Sequence, residues 1–219
     1  MKKKRKCLTD TEMALGYFVT DGRTYHDYII RLVDIIGAVI GLIILLLILP
    51  ILAIAIKWDS SGPAIFQQKR AGKNGVIFKV YKFRTMCKDA DKHERFRNAN
   101  EPVVKLNNDA RITKVGCFLR KCSIDELPQF INVLKGEMSL VGPRPCVLKE
   151  VEAYNDYQRG RLAGKPGITG LAQIRGRSDL NFDDIVEYDI FYNKNRTFGL
   201  YCKILLKTIP YCLFRKSSY

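Results

Sequence analysis

The chain has 219 residues, of which 47% are hydrophobic, and its formal net charge is +15. This length and composition allow one domain, with or without an appendage, and a real hydrophobic core. The positive charge predicts a negatively charged partner: nucleic acid, anionic lipid or a phosphorylated substrate. Seven cysteines without any CxxC spacing, and only two histidines, argue against a disulfide framework and a zinc site.

The N-terminal region combines a basic arm with a long apolar segment. Residues 1–24 are polar and basic and can lie against anionic lipid. No charged residue occurs from Ile35 to Ile56, and a straight helix of that length would extend about 33 Å. The run is too long for a signal peptide and is aliphatic on all faces, unlike a buried helix of a soluble protein. We therefore predict membrane insertion.

The topology of this segment has two readings from the sequence alone. Basic residues flank it on both sides, whereas the positive-inside rule expects an asymmetry. Pro50 cannot donate to the carbonyl of Leu46, so the helix should kink or break there and could return to the same face. A kinked helix that crosses the bilayer is the equal alternative. Arg31 and Asp34 are three residues apart, so they share one helix face and could pair at the interface.

The remaining elements follow from local patterns. Residues 75–86 are rich in β-formers and predict a strand or hairpin arm. The charged segment 88–102 is expected to begin as a helix and continue as a loop. Apolar residues at helical spacing predict helices over 109–122 and 181–192. The apolar segment 198–216, with scattered lysines, predicts an amphipathic helix that lies on a surface.

The stretch "SIDELPQF", residues 123–130, places two carboxylates side by side before a proline. One interpretation is a capping box, in which Ser123 and Glu126 exchange hydrogen bonds and Asp125 complements the helix dipole. In the other, a carboxylate at a helix N-terminus attacks phosphorus, and Mg²⁺ bridges a carboxylate and the phosphate oxygens. A helix that starts here is expected to stop at Gly136.

Several arginines are candidates for phosphate recognition, since the guanidinium group suits phosphate. Arg144 is favoured because Pro143 and Pro145 fix its backbone. Neither a P-loop nor a dinucleotide fingerprint occurs in the sequence. The candidates in or near loops are Arg111, Arg120, Arg144, Arg175 and Arg177.

Several ordered stretches resemble the bacterial sugar transferases, and specifically the small monotopic polyprenol-phosphate phosphoglycosyl transferases. They cover about residues 28–210 and are "RLVDIIGAVIG", "GPAIFQQKRAGKNGVIFKVYKFRTM", "ITKVGCFLRKCSIDELPQFINVLKGEMSLVGPRP" and "KPGITGLAQIRGR" followed by "YDIFYNKN". The resemblance implies that Asp125 attacks the β-phosphate of a UDP-sugar, releases UMP and forms a phosphosugar-enzyme intermediate that polyprenol phosphate then accepts. It associates Glu126 with Mg²⁺ and Pro143–Arg144–Pro145 with the nucleotide.

The resemblance also implies a fold and a location. We expect a monotopic α+β enzyme at the cytoplasmic face of the bacterial inner membrane. Its expected parts are the arm 1–24, a re-entrant membrane helix 25–58 broken at Pro50, and a small mixed catalytic domain 59–219 with a C-terminal interfacial helix. The family breaks this helix at a Ser-Pro pair, where this chain carries Leu49–Pro50.

These expectations define a site and its rivals. The expected catalytic residues are Asp125 and Glu126, with Glu126 also at the metal. The expected substrate-binding residues are Lys82, Arg84, Arg111, Arg120, Pro143, Arg144, Pro145, Arg175 and Asp189. Expected partners are a UDP-sugar, polyprenol phosphate, anionic lipid and a possible second copy, but no nucleic acid. The alternatives are a non-catalytic membrane scaffold for polysaccharide assembly and, more weakly, a nucleic-acid binder.

Overall fold

The computed structural model describes residues 25–88, 90, 109–176 and 180–213. The basic arm, nearly all of the charged segment 88–102 and Arg177 lie outside these residues. Helices and short strands alternate through the described ranges, which agrees with the expected α+β class.

The first helix, α1 (Tyr25–Asp59), is long and apolar enough to cross a membrane. Its middle is largely uncovered, since Leu47 is 73% and Ile51 is 70% exposed. Apolar side chains in such numbers on a free surface indicate contact with lipid. Trp58, at the end of the helix, is exposed where an interfacial aromatic residue is expected.

Two predictions about α1 need correction. The helix is not divided into two, because Pro50 lies inside a continuous helical segment. A proline removes one backbone donor and can bend a helix without ending it. Arg31 and Asp34 do not bond to each other either: Arg31 donates to the carbonyl oxygens of Val133 and Leu134, and Asp34 accepts from Ser139, Leu140 and Tyr201.

Glycines let α1 approach the folded domain closely. A Cβ atom on Gly41 would lie 2.4 Å from the Phe130 ring, and one on Gly37 would lie 2.6 Å from Leu140. The helix therefore packs directly onto the elements that follow in the chain. Two core clusters form along it, one around Met138 and Tyr201 and the other around Phe83 and Leu119.

A hairpin forms the centre of the larger sheet. Strands β1 (Ile65–Ala71) and β2 (Ile77–Phe83) pair antiparallel, which confirms the prediction for 75–86. Asn74 adopts φ 54° and Gly75 φ 73° in the turn, a conformation that these two residue types tolerate.

A helical segment leads from the hairpin to the candidate site. Helix α2 (Lys114–Lys121) is capped at its N-terminus by Thr113, whose side chain accepts from the Gly116 amide. A 3₁₀ helix (Ile124–Gln129) and α3 (Phe130–Leu134) follow. Gly136, at φ 77°, provides the expected helix stop.

The remaining elements are short strands and the helices that cover them. Strand β3 (Ser139–Val141) pairs parallel with β5 (Gly167–Thr169), and β4 (Cys146–Val147) pairs with β1. The last described elements are α7 (Phe182–Lys194), which confirms the prediction for 181–192, and α8 (Phe198–Leu213). Among the described residues between β4 and α7, the short α-helices are α4 (Leu148–Glu152), α5 (Asp156–Arg159) and α6 (Leu171–Arg175), and a 3₁₀ helix spans Gly160–Ala163.

Candidate active site

The two adjacent carboxylates lie on the 3₁₀ helix, which packs against strand β2. Glu126 is buried, and its Oε1 atom lies 3.0 Å from Nζ of Lys82 and 3.1 Å from Nη1 of Arg144. Lys82 comes from the end of β2, whereas Arg144 follows β3. One carboxylate oxygen thus joins two cations from distant parts of the chain.

The Asp125 carboxylate has a different environment. It is half-buried, and it makes no hydrogen bond within the described residues. Burial raises its pKa, and the Glu126 charge raises it further. Lys82, Arg120 and Arg144 are close enough to oppose that rise. Asp125 is therefore a carboxylate with neighbouring positive charge and with lone pairs that no donor in the described part of the chain holds.

The backbone conformation of Ser123, which precedes the two carboxylates, shows that the capping-box interpretation is wrong. Ser123 has φ 55° and ψ 19°, the left-handed conformation, and its side chain makes no cap hydrogen bond. An N-cap residue needs extended backbone angles for its oxygen to reach the helix amides. Glu126 correspondingly bonds to Lys82 and Arg144 and does not return to the serine amide.

The loop that carries Arg144 is fixed by its backbone. The Gly142 amide donates to the Thr169 carbonyl at 2.8 Å, and the Gly167 amide donates to the Pro143 carbonyl at 2.8 Å. A Cβ atom on Gly142 would lie 2.3 Å from the Lys165 carbonyl oxygen, so only glycine fits. The parallel pair β3–β5 therefore holds the loop at the ends of its strands.

Arg70 is a site neighbour that the sequence reasoning missed. Its Nη1 donates to the Pro145 carbonyl at 3.3 Å, while Nε and Nη2 donate to Gln68. Burial and the nearby Arg144 charge lower the pKa of Arg70 to about 10. A local signal was absent, because the contact joins β1 to a loop that is 75 residues later.

The sequence reasoning also missed Arg161, which is the ion-pair partner of the predicted substrate-binding residue Asp189. It pairs with Asp189 at 2.8 Å, with both side chains buried, and donates to the Tyr154 hydroxyl at 2.7 Å. Burial raises the pKa of Asp189 to about 6. Arg161 lines a small cleft together with Pro143 and Arg144, so the pair lies behind the Arg144 loop.

The structure thus separates the predicted site residues into two groups. Asp125, Glu126, Lys82, Arg120 and Arg144 come together, and Pro143 and Pro145 flank Arg144. Arg120 additionally donates to the Thr85 hydroxyl at 2.8 Å.

The other predicted residues have different surroundings. Arg84 is buried and donates to the carbonyl oxygens of Ile56 and Ser60 at the end of α1. Arg111 pairs with Asp109, whose pKa is lowered by that arginine and, to a smaller extent, by Arg120. Arg175 lines a groove between α6, α7 and α8.

The site offers two carboxylates for a metal ion. The described residues contain no group of three or more histidine, cysteine or acidic side chains that could hold one. Mg²⁺, however, usually binds through one or two carboxylates and substrate phosphates. The donor set fits an ion that is shared with a phosphorylated substrate, and Asp125 and Glu126 are the residues that would hold it.

Comparison with known proteins identifies the family. The model of the family described as bacterial sugar transferase matches residues 25–215. The chain belongs to this family. The galactosyl transferase CpsE of Streptococcus agalactiae is 48% identical over 188 residues, which cover 84% of this chain and 42% of that protein.

Two further relatives differ in length. The UDP-glucose:undecaprenyl-phosphate glucose-1-phosphate transferase of Klebsiella pneumoniae is 43% identical over 86% of this chain and 41% of its own length. The exopolysaccharide production protein ExoY of Rhizobium meliloti is 38% identical over 86% of this chain and 87% of its own length. The chain therefore spans about two fifths of the longer relatives and nearly all of the shorter one. The family and the long apolar helix together indicate association with a membrane.

Proposed function

We propose that the protein transfers a phosphosugar from a UDP-sugar to undecaprenyl phosphate or a related polyprenol phosphate, releasing UMP. The observation that carries the proposal is the junction of Asp125 and Glu126 with Lys82 and Arg144. The names of relatives agree with it, since one is a UDP-glucose:undecaprenyl-phosphate transferase and another is an exopolysaccharide production protein. The reaction would initiate the synthesis of a membrane-linked polysaccharide such as capsule, exopolysaccharide or O-antigen.

The first chemical step uses Asp125 as the nucleophile. A carboxylate oxygen attacks the β-phosphorus of the UDP-sugar, and the bond from that phosphorus to the bridging oxygen breaks. UMP leaves with the bridging oxygen and its electron pair, and an acyl phosphate joins Asp125 to the phosphosugar. Lys82, Arg120 and Arg144 stabilise the negative charge on the phosphate oxygens.

The second step regenerates the carboxylate. A phosphate oxygen of polyprenol phosphate attacks the same phosphorus, and the bond to Asp125 breaks. The product is a polyprenyl diphosphate sugar, and the enzyme recovers its ionised aspartate. Mg²⁺, when bound with substrate, would neutralise part of the diphosphate charge. Glu126 is held at Oε1 by two cations, which orients its carboxylate beside Asp125.

With no break at Pro50, the contacts of α1 support a continuous helix that has both ends at the cytoplasmic face and does not cross the bilayer. The domain holds Asp34 through Ser139 and Leu140, and it also holds Asp59, which accepts from the Val115 amide at 2.7 Å. In a straight helix these two aspartates would be about 37 Å apart, more than the roughly 30 Å of a hydrocarbon core. A spanning helix would place them at opposite surfaces, which one small domain could not contact together.

Asp125→Asn tests the proposed chemistry. The amide retains the size of the side chain but removes the nucleophile, so UMP release should fall at least about 1,000-fold. Membrane association and the melting temperature should stay as in the wild type, because the Asp125 carboxylate makes no hydrogen bond within the described residues. The measurement is UMP release with undecaprenyl phosphate across a panel of UDP-sugars that includes UDP-glucose and UDP-galactose. Turnover that survives the substitution would refute the covalent step, and a wild-type protein inactive with every UDP-sugar would favour a scaffold.

A further inference from the structure

One groove in the described residues lies away from the carboxylate pair. It has a volume of about 350 Å³, between α6, α7 and α8, and shares no lining residue with the junction of Asp125, Glu126, Lys82 and Arg144. This volume is within the range of small-molecule sites, about 300–1,000 Å³. The acceptor phosphate must reach Asp125, which is not among the residues that line this groove.

The groove combines an apolar floor with a cationic rim. Leu171, Ile174, Phe191, Leu200 and Ile204 supply most of the floor. Arg175 lies on α6, opposite Lys203 and Lys207 of α8, which are one helical turn apart on one face. Glu187 is the one acidic side chain in this lining, so positive charge prevails.

The position of α8 places this groove at the level of lipid headgroups. The Tyr201 hydroxyl donates to Asp34 at 2.8 Å, next to the first residue of the uncharged run of α1. Leu206 is 66% and Ile209 is 56% exposed on the same helix. Exposed aliphatic side chains beside lysines are typical of a helix that lies in the membrane interface.

We propose that the groove binds one anionic glycerophospholipid, with its phosphate at Arg175, Lys203 and Lys207 and part of an acyl chain on the apolar floor. Charge complementarity favours an anionic headgroup over phosphatidylcholine, which carries no net charge. The lining contains no asparagine or glutamine that could read the edge of a nucleobase, which favours a lipid over the nucleotide substrate. A bound lipid would fix α8 against α1 at the membrane surface.

The inference rests on the membrane location in the proposed function and is tested separately from the chemistry. The full chain in detergent micelles is titrated with dioleoylphosphatidylglycerol or dioleoylphosphatidylcholine, and retained lipid is counted by native mass spectrometry. We expect one phosphatidylglycerol to be retained in preference to phosphatidylcholine. Arg175→Gln/Lys203→Gln/Lys207→Gln should weaken that binding about 100-fold, because each basic residue near an anionic lipid contributes about fivefold.

Two further variants keep the test specific. Lys69→Gln/Lys73→Gln/Lys149→Gln removes three exposed cations outside the groove and should bind phosphatidylglycerol as the wild type does. Glu187→Gln removes the opposing charge and should strengthen binding about fivefold. Equal loss in both triple variants, or binding insensitive to Glu187, would overturn the assignment.

The same samples distinguish other occupants and other failures. Undecaprenyl phosphate that displaces phosphatidylglycerol at equal concentration would assign the groove to the acceptor and overturn the inference. A dimer that dissociates in the groove variant would assign it to a second copy of the chain, with the same consequence. Wild-type protein that releases UMP but shows no preference for phosphatidylglycerol would retain the proposed function and refute the lipid site.

Discussion

Asp34, which anchors α1, differs from Asp125 and Glu126 of the candidate site in the partners of its carboxylate. Asp34 is 2% exposed and accepts hydrogen bonds from the Ser139 hydroxyl, the Leu140 amide and the Tyr201 hydroxyl. Glu126 is also buried but relies on charged partners, and Asp125 has no hydrogen bond within the described residues. A buried carboxylate that accepts several hydrogen bonds holds the structure together. A carboxylate that accepts none and lies beside cations can react.

Removal of the anchor should lower stability more than any other substitution considered in this section. Asp34→Ala leaves the Ser139 hydroxyl, the Leu140 amide and the Tyr201 hydroxyl buried without their acceptor, so the free energy of unfolding should fall by about 3 kcal/mol or more. Thermal unfolding in detergent measures it. Glu152→Ala, at an exposed position on α4, is the control and should change stability by at most about 0.5 kcal/mol. Equal melting temperatures of the two variants would show that Asp34 is no anchor.

The next effect concerns Glu126 and sharpens the contrast between a structural and a reactive carboxylate. Glu126→Gln removes the charge between Lys82 and Arg144 and one of the two proposed metal ligands. We expect turnover to fall about 100-fold, equal to about 2.7 kcal/mol. The concentration of Mg²⁺ needed for half-maximal UMP release should also rise. An unchanged Mg²⁺ dependence would contradict the metal role even if turnover falls.

A smaller effect follows from the raised pKa of Asp125. The nucleophile must be ionised, so activity is lost as the pH falls through this raised pKa, at a higher pH than for an ordinary aspartate. Lys82 favours the anion, and Lys82→Gln should therefore raise the pKa of Asp125 further and move the acid limb of kcat/KM to higher pH. Lys79→Gln, an exposed lysine on the same strand, is the matched control. An acid limb that stays in place or moves to lower pH would refute this coupling.

The contrast also explains what the sequence could predict. The β-rich run at 75–86 and the apolar spacing of α2 and α7 are local signals, and the structure confirms those elements, the strand over 77–83. The ordered motifs suggested that Asp125 and Arg144 act together, although the local pattern at 123–130 also fitted a capping box. Contacts such as Arg70 with Pro145 and Arg161 with Asp189 join residues that are 75 and 28 positions apart, and no periodicity reveals them.

The capping box is wrong for a reason that lies partly in Pro128. Its missing amide and its steric effect on Leu127 disfavour a regular α-helix here, and the chain forms a 3₁₀ helix instead. The serine that would have capped an α-helix takes a left-handed backbone conformation before the two carboxylates. Strain of this kind at a non-glycine residue costs about 1–3 kcal/mol and occurs often at functional sites.

The smallest predicted effect tests that strain. Ser123→Gly should raise the free energy of unfolding by up to about 1 kcal/mol, because glycine adopts φ 55° without a steric cost. Ser123→Ala removes the hydroxyl but retains the Cβ, so it should leave stability within about 0.5 kcal/mol of the wild type, since the hydroxyl makes no cap hydrogen bond. Thermal unfolding of both variants is the measurement. If the alanine variant is clearly less stable than both the glycine variant and the wild type, the hydroxyl contributes to stability. Ser123 would then have a capping role.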